Sequence, residues 1–273
     1  MSALTLTLRK DAPRAALDLG ALTPAALAAL KPAALKRLRV PAGGRELPLV
    51  ELFDIDGEAG DTLRLVGLHG ACHRVGTGLR AGSIEVRGNV GDELGREMRG
   101  GEVRVSGDAG AGAGMGMRGG YLQVGGSAGD NLGGITPGAT RGMNGGLIVI
   151  GGDVGARCGE RMRRGFIVVL GSAGEYLGDR MLAGSIAVFG EVAKHAGLGM
   201  RRGTLFLTRA PEGTAGFADC GEFDFGIVPL IRTYLVDFHP AVAKRFGVFA
   251  RARRWCGDLN HGGKGEMLVA APA

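Results

Sequence analysis

Between residues 62 and 208 the chain alternates short apolar–polar runs with glycine-rich stretches at a nearly fixed interval. Each run places apolar residues two apart: Ile84 and Val86, Val103 and Val105, Leu122 and Val124, Ile148 and Ile150, Ile167 and Val169, Ile186 and Val188. A period of two predicts a β-strand with one buried face. The glycines that close the runs, Gly88, Gly107, Gly126, Gly152, Gly171 and Gly190, are 19, 19, 26, 19 and 19 residues apart. The aligned units share x-Φ-x-V-x-G, then x-[VA]-G-x-x-[LAC]-G, then x-x-M-x-x-G. A looser unit opens at Thr62, and the unit at Tyr121 carries a seven-residue insert within 133–144.

Strands recurring at this interval, without two-residue turn signals at the unit ends, do not read as hairpins. They predict an all-β architecture, a single-stranded parallel β-helix of about seven 19-residue glycine-rich coils. One column of the alignment holds Leu79, Met98, Met117, Met143, Met162, Met181 and Met200. It reads as core, with methionine as a flexible filler. The two ends fall outside the rhythm. Residues 1–61 read as a capping segment, with alternation at 4–8, a helix start at Thr23-Pro24, and a second strand over 47–55. Residues 209–273 form an aromatic and basic tail, with a short helix at 240–246, that packs on the repeats or on a neighbour.

Composition narrows the class. Glycine contributes 53 of 273 residues, 39 of them within 62–203, without the every-third-residue period of collagen. An apolar content of 45% argues against disorder. No run of about 20 apolar residues is present, and residues 1–10 lack a signal-peptide pattern, so a cytoplasmic protein without membrane contact is expected. The four cysteines form no C-x-x-C pair and read as reduced thiols. Net charge is +6, carried by 27 arginines against 6 lysines.

Two outward-facing features are candidate sites. Arg80, Arg99, Arg118, Arg163 and Arg201 share one repeat position, directly after the Met/Leu column, interrupted by Asn144 and Leu182. This is either a solvated charged face or a guanidinium stripe for a polyanion. Nucleic acid is not favoured, because no interleaved aromatics or known motif accompany it. The outward strand positions also change character. They are polar at Ser83, Glu85, Arg87, Glu102, Arg104 and Ser106, and apolar at Leu147, Val149, Phe166, Val168, Leu170, Phe189 and Phe206. An apolar patch of that size needs cover. The tail or another subunit provides it, which makes these seven residues a candidate subunit interface.

Other constellations are weak. His69-x-x-Cys72-His73 offers three ligand types but no second cluster to complete a tetrahedral metal site. Asp219-Cys220-Gly221-Glu222 with His239 could be drawn as a nucleophile and base, but no pattern places them together. The glycine-rich stretch 133–146 lacks the context of a phosphate loop. No catalytic, cofactor-binding or metal residue is assigned.

The units, clearest in GNVGDELGREMRGG and GSAGEYLGDRMLAG, resemble the GXXGXXXG-repeat β-helix at the carboxyl end of the glutamate synthase large subunit. Over most of its length the chain resembles the C subunit of formylmethanofuran dehydrogenase. The arginine-rich, lysine-poor composition favours that family's bacterial counterpart in the formyltransferase/hydrolase complex. The resemblance implies a right-handed β-helix and a non-catalytic subunit in tetrahydromethanopterin- and methanofuran-linked one-carbon metabolism, as in methylotrophy. It implies amidohydrolase-like, formyltransferase and dehydrogenase-B-like partners that carry any metal and the formyl transfer and hydrolysis. It also makes the arginine stripe a candidate contact for a polyglutamylated carrier. A tungsten or molybdenum dehydrogenase subunit, and a glutamate-synthase-type domain partnering an amidotransferase, remain alternatives.

Overall fold

The alternating runs form strands that pair in the register their apolar residues demand. The computed structural model describes residues 3–13, 15–214 and 216–271. The first segment holds β1 (Ala3–Leu8), β2 (Leu17–Asp18), α1 (Pro24–Ala28), α2 (Pro32–Arg37), β3 (Arg39–Ala42), β4 (Arg45–Pro48), α3 (Leu49–Leu52) and β5 (Phe53–Asp56). The glycine-rich region holds β6 (Thr62–Leu68), β7 (Cys72–His73), β8 (Ser83–Gly88), β9 (Arg99–Val105), β10 (Gly119–Val124), β11 (Asn144–Ile150), β12 (Arg164–Val169), β13 (Ser185–Val188) and β14 (Arg202–Leu207). The tail adds β15 (Ala218–Asp224), α4 (Ile227–Val236), α5 (Pro240–Arg245), β16 (Arg251–Gly257) and β17 (Lys264–Ala270).

From β6 and β8 to β14 the strands pair in parallel and in chain order. Ile84 lies opposite Val103, Val103 opposite Leu122, and the row continues through Ile148, Ile167, Ile186 and Leu205. All seven are fully buried. Each such side chain contributes about 1.5–3 kcal/mol on leaving water, and a one-residue slip would turn the whole row outward. The segments between strands are held by isolated parallel bridges running from Val90 through Ala109, Ala128, Val154 and Ala173 to Val192. Beside them a side-chain ladder links successive units. Asn89 accepts from the Asp108 N–H, Asp108 from Ser127, Ser127 from Asp153, Asp153 from Ser172, and Ser172 from Glu191.

The methionine column is core: Leu79 and the six methionines are 0–2% exposed. Its neighbour is a column of glycines. At Gly165, φ is +100°, and a Cβ would lie 2.8 Å from both the Gly146 carbonyl oxygen and the Met143 methyl. Only glycine fits there.

The all-β, single-stranded right-handed parallel β-helix expected from the periodicity and the resemblance is corrected by the sheet topology. The strands form one 13-stranded mixed sheet, ordered β15-β16-β17-β14-β13-β12-β11-β10-β9-β8-β6-β1-β5, and a four-stranded sheet, β4-β3-β2-β7. With five helices added, this is an α/β-type fold with parallel strands at its centre. The 19-residue period reports the strand, the isolated bridge and the buried methionine that each unit contributes. It carries no information on the non-repeating ends, which continue the sheet with reversed strands. β5 runs antiparallel to β1, β16 to β17, and β15 to β16.

Local signals fared variously. Thr23 caps α1, its hydroxyl accepting from the Ala26 N–H at 3.3 Å, with Pro24 in the first turn. The short helix expected near 240–246 is α5. The single strand expected over 47–55 is instead split among β4, the helical turn α3 and β5. Leu49, Leu52 and Phe53 in that stretch are all buried, a pattern that a turn of helix between strands satisfies as well as alternation does.

The tail supplies cover for the apolar outward face. Leu147, Val149, Phe166, Val168 and Phe206 are 0–7% exposed and cluster with Val228, Leu235, Phe246 and Phe249. Leu170 and Phe189 pack at the margin. The Phe246 ring meets Phe206 at 4.9 Å, Phe249 at 5.0 Å and Phe166 edge-on at 5.7 Å. Arg245 sits over Phe189 at 4.6 Å, and Arg232 on α4 donates to the Ala243 carbonyl on α5, which ties the two helices together.

Candidate functional site

Arg118, Arg163 and Arg201 each follow a fully buried methionine, Met117, Met162 and Met200. The backbone N–H of each bonds back to the methionine of the preceding unit: Arg118 to Met98, Arg163 to Met143, Arg201 to Met181, at 2.7–2.8 Å. A buried anchor therefore places a guanidinium on the outside of every second unit, with Asn144 and Leu182 at the same position between them. Arg80 and Arg99 occupy the same position and are exposed, but they lie outside the clefts described next.

Three adjoining clefts of about 420, 620 and 450 Å³ open on this surface. Arg141 lines all three, and Leu182 and Arg201 are common to the first two. Together the walls present eight arginines: Arg118, Arg141, Arg161, Arg163, Arg164, Arg180, Arg201 and Arg202. Among the described residues none of the eight makes a side-chain ion pair or hydrogen bond, whereas Arg9, Arg64, Arg74, Arg96, Arg104, Arg209 and Arg253 elsewhere do. Unpaired guanidinia converging on one concave surface favour a ligand with several carboxylates or phosphates, which each fork can hold bidentately.

Five of these arginines extend the stripe read from the sequence. Arg161 and Arg180 sit two residues before Arg163 and Leu182, at left-handed corners with φ near +50°. Arg164 and Arg202 open β12 and β14. Each of these positions holds arginine in only two units, too few for the repeat alignment to mark it as a column. Arg141 comes from the insert, whose path the repeat does not report. His261 arrives from the tail. Asp258, 3% exposed, accepts from the N–H groups of Gly199 and Asn260 and lies 3.1 Å from His261 Nδ1. Burial raises the Asp258 pKa, but these hydrogen bonds outweigh it and hold the carboxyl below its ordinary range. The aspartate thereby fixes His261 on the rim of the first cleft.

The other constellations are committed elsewhere. His69 Nδ1 accepts from the Ala71 N–H and His73 Nδ1 from the Asp92 N–H, while Cys72 is fully buried. Among the described residues no three His, Cys, Asp or Glu side chains gather as a metal site. His239 caps α5 through Nδ1, accepting from Val242, and the Cys220 thiol donates to the Ala218 carbonyl. Burial pushes the Cys158 thiol up to about 12, so it is not a nucleophile at neutral pH. Among the described residues no helix is long and apolar enough to cross a membrane.

No family model matches the chain. Over 90 residues it is 40% identical to the C subunit of the formyltransferase/hydrolase complex, Fhc, of Methylorubrum extorquens, a match spanning 33% of this chain and 34% of that relative. In three dimensions it matches a chain of the crystal structure of the M. extorquens formyltransferase/hydrolase complex, FhcABCD, determined with methylofuran. The TM-score is 0.88 and the identity 38%, over 98% of this chain and 100% of that one. The chain belongs to the family of formyltransferase/hydrolase complex C subunits. That relative was solved as part of FhcABCD, in complex with methylofuran.

Proposed function

We propose that this chain is a non-catalytic structural subunit of a cytoplasmic formyltransferase/hydrolase complex in tetrahydromethanopterin- and methanofuran-linked one-carbon metabolism. Its arginine clefts hold the acidic, polyglutamylated tail of the formyl carrier. Formyl transfer and hydrolysis to formate belong to amidohydrolase-like, formyltransferase and dehydrogenase-B-like partners. The observation that carries the reading is the set of eight guanidinia that make no ion pair among the described residues, with Glu97 lining only the third cleft. Arg80 and Arg99 extend the same positive field towards the start of the sheet and steer the carrier. Holding the tail would raise the carrier's effective concentration near the partners' active sites. Residues 1–61 and 209–273 close the two edges of the central sheet. Leu147, Val149, Phe166, Val168, Leu170, Phe189 and Phe206, the candidate subunit interface, pack against the chain's own tail, so a partner would reach them only where that tail is displaced.

The test is the double variant Arg163→Glu/Arg201→Glu in the assembled complex. Poly-L-glutamate binding, read by calorimetry, is expected to weaken by about 100-fold or more, since each reversed charge removes a charge-assisted contact of roughly 1.5–3 kcal/mol. KM for the full-length carrier is expected to rise with kcat unchanged, while a carrier trimmed of its tail is unaffected. Equal KM values for wild type and variant with the full-length carrier would overturn the assignment.

A further inference from the structure

The apolar outward face ends at Tyr121, and the sheet beyond it is polar. At this boundary the last turn of α4 stands off the sheet and leaves a cleft of about 710 Å³, within the range of small-molecule sites. It lies apart from the arginine clefts and shares no lining residue with them. Its aromatic wall is continuous: Phe238 lies 5.4 Å from Tyr121 and 5.3 Å from Tyr234, centroid to centroid. Its charge is inverted relative to the rest of the protein. Asp61, Glu102 and Asp237 line it, against one cation, Arg104.

Arg104 is already satisfied. It pairs with Glu102, donates to Gln123 at 2.6 Å, and lies over the Tyr121 ring at 4.9 Å. Asp61 and Asp237 make no ion pair among the described residues. The glycines on the sheet side carry no argument, because close strand approach already requires them: a Cβ on Gly101 would lie 2.6 Å from the Gly82 carbonyl oxygen. What remains is the ring faces of Tyr234 and Phe238, each with a negative quadrupole, beside two exposed carboxylates without an ion pair among the described residues; Tyr121, 3% exposed, backs them from beneath. An anion is repelled there, and a neutral ring would leave both carboxylates unused. Tyr121 already accepts one guanidinium on its face, so cation binding to this wall has an internal precedent.

We propose that this cleft binds an organic cation, an ammonium or guanidinium group on an apolar stem, with Tyr234 and Phe238 covering the stem, Tyr121 packed behind Phe238, and Asp61 and Asp237 facing the charge. The site stands independently of the carrier-tail reading, so either can fail alone. The chain has only three tyrosines, two of them in the cleft. The third, Tyr176, is stacked on His195 elsewhere and serves as an internal control.

The experiment titrates tyrosine-labelled full-length chain with n-butylammonium, and with butyrate at matched ionic strength, by carbon-13 NMR. Saturable shifts are expected at Tyr121 and Tyr234 and not at Tyr176, with butylammonium only. Asp237→Asn and Asp61→Asn should each weaken binding about fivefold, in line with one lost partly exposed charge contact. Repeating the titration in the assembled complex separates two sources of the cation. Retained binding identifies a free amine. Loss of binding, with both tyrosines already at their saturated positions, identifies a basic side chain of a partner subunit. No saturable shift in the isolated chain, or equal shifts with butyrate, overturns the proposal.

Discussion

Removing the Phe246 ring tests whether the tail, rather than a partner alone, seals the apolar face. Phe246 is fully buried and meets three rings, Phe206 at 4.9 Å, Phe249 at 5.0 Å and Phe166 at 5.7 Å. A core phenylalanine cut to alanine costs about 3–5 kcal/mol. The three aromatic neighbours, with pairs worth roughly 0.5–1.5 kcal/mol each beyond area burial, place Phe246→Ala towards the upper end. For a chain of this size each kcal/mol moves Tm by about 2–4 °C, so a loss on the order of 10 °C is expected if the tail and sheet unfold together. If the tail detaches first, hydrogen exchange should rise in 227–250 and a hydrophobic dye should bind the uncovered face of β11 to β14, with the repeat core still protected. Leu230→Ala, at a side chain 66% exposed, is the control and should change stability by less than about 0.5 kcal/mol. Urea denaturation of the isolated chain gives the free energies. A Phe246→Ala loss below about 1 kcal/mol without new dye binding would refute the reasoning, because the face would then be uncovered or covered by something other than this ring cluster.

Two further outcomes follow from local geometry. Gly165→Ala forces a Cβ to 2.8 Å from the rigid Gly146 carbonyl, whereas Gly138→Ala, also at positive φ, meets nothing within 4 Å. Denaturation should show the first losing at least about 2 kcal/mol more than the second, whose cost is about the 1–2 kcal/mol of left-handed strain alone. Asp258 has a folded pKa below its ordinary 3.8, so its contribution is complete above that value and is lost as pH falls through the lower folded pKa. Asp258→Asn should therefore lower Tm near neutral pH, by roughly 2–8 °C for about 1–2 kcal/mol, and a thermal-melt series should show the gap closing in acid.

The central strands were legible because period-two alternation and the columns beneath them are local signals. Ile84, Val103 and Leu122 had to share a face once they recurred at one interval. Thr23-Pro24 was legible for the same reason, since a cap acts within four residues. The pairing of the ends was not. Nothing local distinguishes β17, which joins β14 in parallel, from β16, which turns back. Those directions depend on contacts between elements far apart in the chain, such as Arg202 with Lys264. In α4, Val228 and Leu235 are buried while Ile227, Leu230 and Tyr234 face outward; an apolar run on both sides gives no helical period to read. The arginine stripe was half legible: Arg118, Arg163 and Arg201 follow the repeat, whereas Arg141 and His261 reach the clefts through an insert and a tail turn.

The arrangement of charge follows from how the columns divide the work. At the strand spacing of about 4.8 Å, two unit charges in water repel by roughly 0.9 kcal/mol, and salt screens them beyond about 8–10 Å. Each guanidinium in the clefts therefore opposes its nearest neighbours but few others. Beneath them every unit buries at least two strand residues and one methionine or leucine, each contributing more than one such repulsion costs. The core columns can thus hold an array of cations in place without an ion pair to neutralise each one. An internal carboxylate at Arg163 or Arg201 would stabilise the free chain and, by the same Coulomb interaction, compete with an incoming anion. Among the described residues neither Arg163 nor Arg201 has such a partner, and Glu97 lines only the third cleft.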